Sequence, residues 1–506
     1  MIDFVSVLDQ HARTRGHELA LRAEGRDWTY AQLAEQTRRA ARVLAGVGVV
    51  AGERIAIFTL NTPGFVFALF GAWRLGAAVV PVNHKLQAPE VQYVLQHSGA
   101  RVAVVDAALA PVARRVQTGV RWLATAGDAE GWASLDALMA QAEPYGDEHP
   151  APAGDVLAEV LYTSGTTGRP KGCLHNHANL FQTAVCAAAS VSLTPSDRVL
   201  TAMPIWHSSP LNNWFLGALL IGAANVLLRE YTPQAFADAL VRERITFTFG
   251  APIALLAPLQ VVAGIGEYDF GAMRMWACGG GPLSADNTRR LMAGYRTSRL
   301  MQVYGMTESG PLGAVLYPEE AERKAGSIGR CGNPGVLLQL RRPDGRLCAA
   351  GEVGEIHLRS APMMQGYLDD PQATAAAFTE DGWYRSGDLA RIDEEGYMFI
   401  VDRMRDMIVT GGENVYSREV EDALSGHPDV AQVAIIGRPH PDWGETVTAI
   451  VVPKPGVALR EDELKQFLEP RLARYKIPRI YEFRAELPCT PSGKVQKHLL
   501  RHVASI

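Results

Sequence analysis

Tyr162-Thr-Ser-Gly-Thr-Thr-Gly-Arg-Pro-Lys-Gly172 gathers four aliphatic hydroxyls, three glycines and one lysine into eleven residues. The glycines (Gly165, Gly168, Gly172) let successive backbone N–H groups turn toward one point. Thr163, Ser164, Thr166 and Thr167 add donors, and Lys171 adds a cation. Such a loop suits a phosphate chain. It is not a Walker A loop, which needs Gly-Lys-Ser/Thr, because Lys171 follows Pro170 and precedes Gly172. An ordinary polar turn would explain the glycines but not this many donors beside a lysine. The chain holds only eight lysines among its 49 basic residues, yet Lys171, Lys476 and Lys494 all fall in motif-like segments. A lysine is a compact, mobile point charge, suited to following a phosphate through changing geometry.

Outward from this loop, short apolar runs alternate with helical patterns. Thr29 to Gly48 has a capping start and Leu33, Ala40 and Leu44 at helical spacing. Strands are expected at Arg54–Phe58 and Ala77–Pro81, with a helix over Phe65–Leu75 between them. Further strands are expected at Arg101–Asp106, Val199–Ala202, Asn225–Leu228, Thr246–Phe249 and Met273–Ala277. The alternation predicts an α/β fold with parallel sheets to about residue 330. From Gly335 to Arg403, turns at Asp344-Gly345, Asp381-Gly382 and Glu395-Gly396 predict a small antiparallel, barrel-like β subdomain. After Arg405 the pattern is α+β, with helices over Ser417–Leu424 and Glu461–Ala473 and strands over Val430–Gly437 and Val447–Pro453. The segment Gln141–Asp155 reads as a loop leading into the phosphate strand.

At 506 residues there is ample chain for a large core, and the length prior gives about three structural units. A formal charge of −5 argues against a nucleic-acid surface. The six cysteines contain no C-x-x-C pair, which fits a reduced cytoplasmic protein better than a disulfide scaffold or zinc site. MIDFVSVLDQ at the N-terminus has no basic region before an apolar run, so no signal peptide is expected. The longest apolar run, Leu216 to Leu228, carries Asn225 and is too short to span a bilayer.

Three more motifs follow in order: Tyr304-Gly-Met-Thr-Glu308, Ser386-Gly-Asp388 and Pro491-Ser-Gly-Lys494. Together with the Tyr162 loop they resemble the ANL superfamily of adenylate-forming enzymes, over essentially the whole chain. That superfamily includes acyl- and aryl-CoA synthetases, peptide-synthetase adenylation domains and firefly-type luciferases. The resemblance implies a large domain over 1–402, including the β subdomain at about 335–402. It also implies a hinge at 403–405 and a mobile domain over 406–506. A carboxylate does not react with a thiol, because its leaving group would be oxide or hydroxide. Transfer to the α-phosphate of ATP gives an adenylate whose leaving group is AMP. Gathering those charges takes cations, N–H groups and Mg²⁺.

By resemblance, Thr163 to Lys171 would hold the β- and γ-phosphates, with Ser164, Gly165, Thr166, Thr167 and Gly168 forming the loop. Tyr304 and Gly305 would lie against adenine, opposite Gly279, Gly280 and Gly281. Thr307 would touch the α-phosphate and Glu308 would hold Mg²⁺. Asp388, assisted by Arg403, would accept the ribose hydroxyls. Lys494 would bridge carboxylate and α-phosphate, and His207 after Trp206 would stand at the acyl site and gate the thiol. The acyl site would be lined by Trp206, His207, Asn212, Phe249, Gly250, Cys278, Gly279 and Met306. Peptide-synthetase adenylation domains usually carry an aspartate after that aromatic residue. Trp206-His207-Ser208-Ser209 has none, so a free amino acid is not the expected substrate. Gly411, Gly412 and Glu413 resemble the CoA-ligase version of the post-hinge turn, although a plain glycine turn before a helix also describes them. Arg438, Arg474 and Lys476 are candidates for the CoA phosphates, or solvated surface charges.

Three positions depart from the pattern: Arg405 stands at the hinge, Ser386 replaces a threonine, and Ser417 stands where proline is common. An arginine hinge could bias the domain poses, which leaves open an enzyme that performs only the thioester-forming half. Loading of a carrier-protein thiol and adenylate binding without turnover also stay open. The apolar lining and the Gly279-Gly280-Gly281 run predict a bulky hydrophobic acid, unless the glycines merely admit adenine. The expected partners are that acid or its adenylate, ATP/AMP and CoA, with no nucleic acid and no membrane span. A homodimer is left open.

Overall fold

Trp73 sets the position of the phosphate strand. It is a fully buried side chain near the end of the helix Pro63–Arg74, and its indole N–H donates to the Ala158 carbonyl at 2.9 Å. The helix is buried along its whole length and starts with proline, whose missing N–H costs nothing at that position. Helix Tyr30–Gly46 lies against it, started by Thr29 in a capping box with Gln32. The structure is a computed structural model that describes residues 2–146, 154–163, 170–281, 283–411, 413–489 and 495–501.

The chain divides into two compact units. The first comprises Met1–Ala325, Cys331–Leu338 and Leu358–Tyr384. It contains two large sheets. One has eight strands, with Leu157–Thr163 paired to Lys171–Asn176 on one side and to Ala78–Pro81 on the other. Its strands Arg54–Phe58, Ala78–Pro81, Val102–Asp106 and Arg121–Thr125 run parallel. The other has nine strands, and its parallel run Ala224–Leu227, Arg198–Thr201, Phe247–Gly250, Met275–Gly279 and Leu300–Val303 is closed by antiparallel edges. Several strands are buried at every residue, as in Val102–Asp106 and Phe247–Gly250, because both faces are covered.

The second unit comprises Gly326–Arg330, Gln339–His357 and Arg385–Ile506. It holds most of a four-stranded sheet ordered Val336–Arg341, Val353–Ser360, Tyr384–Ile392, Met398–Arg403. It also holds a five-stranded sheet built on the long hairpin Val430–His440 and Gly444–Pro453. The turn glycines Gly345 and Gly396 take φ of +83° and +85°, which glycine adopts without strain. Helix Ser417–Ser425 packs on that hairpin. The fold is thus mixed α/β with parallel sheets, a small β sheet and a separate α+β C-terminal unit. One expectation is corrected: the helix expected over Glu461–Ala473 ends at Leu468, because Pro470 cannot donate its backbone hydrogen bond. No helix among the described residues is long and apolar enough to cross a membrane.

Candidate adenylate site

The two ends of the Tyr162–Gly172 motif lie on a pair of antiparallel strands. Thr163 ends one strand directly opposite Lys171, which begins the next. Ser164, Gly165, Thr166, Thr167 and Gly168 lie outside the described residues. The two strands put Thr163, Lys171, Leu161, Cys173, Glu159 and His175 on one face, because cross-strand partners share a side and alternate residues repeat it. Lys171 Nζ lies 4.9 Å from the centre of the Tyr367 ring. The Tyr367 hydroxyl donates to Glu308 Oε1 at 3.0 Å, and it also bonds Tyr384. One tyrosine therefore joins Lys171 to Glu308. Burial, followed by the Glu308 charge, raises the Tyr367 pKa, so the phenol remains a donor. Glu308 is further placed by its own carbonyl, which accepts from the Met364 N–H at 2.8 Å.

Thr307 is tied from two sides. Its carbonyl accepts from His175 Nε2 at 2.9 Å, and its hydroxyl shares a 3.0 Å hydrogen bond with Ser208. Burial lowers the His175 pKa to about 4, so the ring stays neutral with its proton on Nε2. Beneath these, Glu159 is fully buried and its Oε1 accepts from Asn212 Nδ2 at 2.5 Å. Burial pushes this carboxyl up to about 8, and the Asn212 bond only partly opposes the shift. Glu159 is neutral at pH 7 and links the phosphate strand to the π-helical turn Ser209–Phe215.

Residues expected at the acyl site stand in and before that turn. Trp206 donates its indole N–H to His84 Nδ1 at 3.1 Å, and its ring centre lies 5.5 Å from that of His207. His207 is exposed to solvent. Burial, followed by the charge of Lys85, lowers the His84 pKa to about 4. Trp214 stacks on Phe249 with 6.0 Å between ring centres. Cys278 is buried and its thiol pKa is pushed up, so it is a small apolar wall residue and not a nucleophile. Gly250 admits Leu255, whose Cδ2 would lie 2.7 Å from a Cβ there.

The glycine run divides by reason. A Cβ at Gly279 would meet the Val303 carbonyl oxygen at 2.5 Å, and Gly280 has φ of +76°. Gly281 has neither constraint; a Cβ there would meet only Pro252, at 3.5 Å. Gly305 is required by the Pro311 carbonyl, 2.7 Å from its hypothetical Cβ. Tyr304 and Met306 are half-buried on either side of it.

In the second unit Asp388 and Arg403 are register partners on adjacent strands, with Arg403 Nε 3.1 Å from Asp388 Oδ1. The loop before Asp388 is held by Glu355, which accepts from the Gly387 N–H at 2.9 Å and pairs with His357 Nε2 at 3.0 Å. Arg405 is exposed, 4.0 Å from Asp406 Oδ2. Gly411 takes φ of +59° and donates to the Trp443 carbonyl; Glu413 is exposed, and Gly412 lies outside the described residues. Arg438 pairs with Glu482, and Lys476 sits 2.7 Å from both Glu419 oxygens, whereas Arg474 is exposed. Lys494 lies outside the described residues.

Motif reading missed Glu159, His175, His84, Tyr367 and Glu355. The one signal for Glu159 was an acid inside the apolar run Leu157-Ala-Glu-Val-Leu. Tyr367 left none, since its two-residue strand pairs with the phosphate hairpin from about 195 residues away. Among the described residues no group of three or more His, Cys, Asp or Glu could hold an ion alone. A single carboxylate such as Glu308 suits Mg²⁺ held mainly by substrate phosphates and water.

Residues 8–368 match the AMP-binding enzyme family, and residues 419–494 match the AMP-binding enzyme C-terminal domain. A feruloyl-CoA synthase of an Amycolatopsis species is 37% identical over 499 residues, 97% of each chain. An indoleacetate–CoA ligase of Aromatoleum aromaticum is 36% identical over 504 residues, 98% of this chain and 97% of that one. The crystal structure of ATP-bound MatB from Rhodopseudomonas palustris superposes with a TM-score of 0.87 at 30% identity, covering 99% of this chain and 98% of that one. With the hairpin phosphate motif, the Thr307–Glu308 pair and the Asp388–Arg403 pair in place, this chain belongs to the AMP-binding enzymes, the adenylate-forming family its motifs resemble.

Proposed function

We propose that this chain is an AMP-forming acid–thiol ligase that activates a bulky, largely apolar carboxylic acid as its adenylate and passes the acyl group to CoA. The observation that carries the reading is the Lys171–Tyr367–Glu308 chain at the mouth of the phosphate hairpin. A phosphate-seeking cation and a metal-seeking acid are set by one neutral phenol, which matches the charge layout of a nucleoside triphosphate.

In the first half the acid's carboxylate attacks the α-phosphorus of ATP and pyrophosphate leaves. Thr163, the loop after it and Lys171 hold the departing phosphates, Thr307 orients the α-phosphate, and Lys494 neutralises charge between carboxylate and phosphate. Mg²⁺ at Glu308 would supply charge neutralisation across the phosphates. Tyr304 and the glycine run flank adenine, while Asp388 holds the ribose hydroxyls. In the second half residues 403–405 act as the hinge, and Gly411 and Gly412 line the way for a thin thiol arm. The thiol attacks the acyl carbon, AMP leaves, and His207 stands where it can take the thiol proton. The space at Gly281 and the apolar wall of Trp214, Phe249 and Cys278 support a bulky acid over a small one.

The test is mass spectrometry of reactions with ATP, Mg²⁺, CoA and acids of graded size. Acyl-CoA from bulky acids is expected. Absence of adenylate and thioester from every acid would refute the reading. Thioester only from a supplied adenylate would leave the second half alone.

A further inference from the structure

Ser417, one of the departures from the expected pattern, uses both of its hydrogen-bond donors. Its N–H lies 2.5 Å from Asp402 Oδ2 and its hydroxyl 3.0 Å from Asp402 Oδ1. Proline could supply neither donor. A serine hydroxyl has one proton but also lone pairs, so it still accepts from a third group. That group is Lys497, whose Nζ lies 2.6 Å from Ser417 Oγ and 2.7 Å from Glu421 Oε1. Ser417 is fully buried, Asp402 is 5% exposed, and the Lys497 side chain is 14% exposed. A second tie runs beside the first: Arg501 Nη2 lies 3.0 Å from Asp406 Oδ1.

These ties join the two parts of the second unit that the two half-reactions use differently. Asp402 and Asp406 bracket the hinge residues 403–405, and Lys497 and Arg501 bound the last described helix. Lys494 is three residues before Lys497, and three extended residues span at most about 10 Å. Val495 bridges to Cys489, and the Gln496 N–H donates to the Pro488 carbonyl. Leu487, Val495 and Leu500 pack with Ala434 and Ile436 of the hairpin. Fixing Lys497 beside the hinge segment therefore bounds, through three residues of chain, how far from it Lys494 can lie.

We propose that Asp402, Ser417 and Lys497 form a buried latch tying the helix Lys497–Arg501 to the hinge segment, and that Lys497 is a positioning residue for adenylation alone. This rests on the ligase reading and on the role of Lys494 within it. The second half does not use Lys494, so it does not need the latch.

The experiment compares both halves in full-length wild type, Lys497→Met, Lys497→Arg and Ser417→Ala. Acid-dependent ATP–pyrophosphate exchange should fall about tenfold or more in Lys497→Met, as expected for loss of a charge-assisted hydrogen bond. Ser417→Ala should show a smaller fall and Lys497→Arg a partial recovery. Thioester formation from a synthetic adenylate and CoA should stay within about twofold of wild type in all three, since no group touching that chemistry changes. Equal loss of both halves, or no loss of exchange, overturns the latch. Native-state hydrogen exchange provides a readout that does not depend on turnover. Amides of 495–501 should exchange faster in Lys497→Met while those of Val430–His440 do not, and unchanged protection at 495–501 also overturns the latch. Wild type that shows no exchange with any acid would refute the ligase reading, leaving the amide measurement to decide the latch.

Discussion

Asn212 Nδ2 stands 2.5 Å from Glu159 Oε1, inside the buried seam between the phosphate strand and the turn Ser209–Phe215. Burial raises this carboxyl from its ordinary 4.5 to about 8 in the folded chain. The unfolded chain therefore sheds the proton first as pH rises. Folding is disfavoured progressively between about pH 4.5 and 8, at roughly 1.4 kcal/mol per unit if the whole shift is realised. Glu159→Gln keeps an acceptor for Asn212 and has no proton to lose. The variant should gain thermal stability over wild type on going from pH 5 to pH 8. Melting curves at the two pH values decide it; parallel changes in both proteins would show that Glu159 does not titrate in this way.

Much of the candidate site could be proposed from sequence because its expected residues fall in contiguous motifs. Asp388 and Arg403 could be read from two short strings, and the sheet then placed them side by side. The supporting residues were not legible. His175 and Glu159 sit in a strand pair whose apolar pattern reads simply as core, and their roles arise only when Thr307 and Asn212 arrive from distant elements. Glycine meaning was also hidden: three consecutive glycines look alike in sequence, but the Val303 carbonyl and a positive φ explain only Gly279 and Gly280.

Tyr367→Phe removes the hydroxyl on Glu308 and keeps the ring beneath Lys171. The expected effect is a rise in KM for MgATP of about tenfold, the scale of one hydrogen bond to a charged group. Conversion of a preformed adenylate to thioester should be unaffected. Steady-state kinetics at varied MgATP, beside the adenylate assay, separates the two; equal losses would mean that Tyr367 supports the fold and not the triphosphate site.

Gly281→Ala adds one methyl where only Pro252 is near, so the fold should tolerate it. If Gly281 opens the acyl pocket, kcat/KM should fall for the bulkiest acids by about ten- to a hundredfold and hold for small ones. Gly280→Ala is the control: with φ of +76° it incurs backbone strain of about 1–2 kcal/mol and should lower stability without sorting acids by size. Competition between a small and a bulky acid measures the ratio directly, and an unchanged ratio in Gly281→Ala removes the argument for pocket size.

Glu355 reaches Asp388 through the backbone, since its Oε1 holds the Gly387 N–H beside Asp388 and its Oε2 holds His357. Burial by itself would raise this carboxyl, but the His357 bond and the Gly387 N–H outweigh burial and bring it below its ordinary 4.5. A carboxyl depressed on folding contributes stability above about pH 4.5 and loses that contribution as pH falls through its lower folded value. Across pH 5 to 8 the loop should therefore be held uniformly. Glu355→Ala frees both partners, and the Asp388 loop loses its backbone anchor. AMP should then bind about tenfold more weakly, since one charge-assisted hydrogen bond is gone. CoA affinity should not change. Glu355→Gln keeps an acceptor for Gly387 and should fall between the two. Calorimetric titration of AMP into the three proteins tests the order; AMP affinity unchanged in Glu355→Ala would mean that Asp388 holds its place without Glu355.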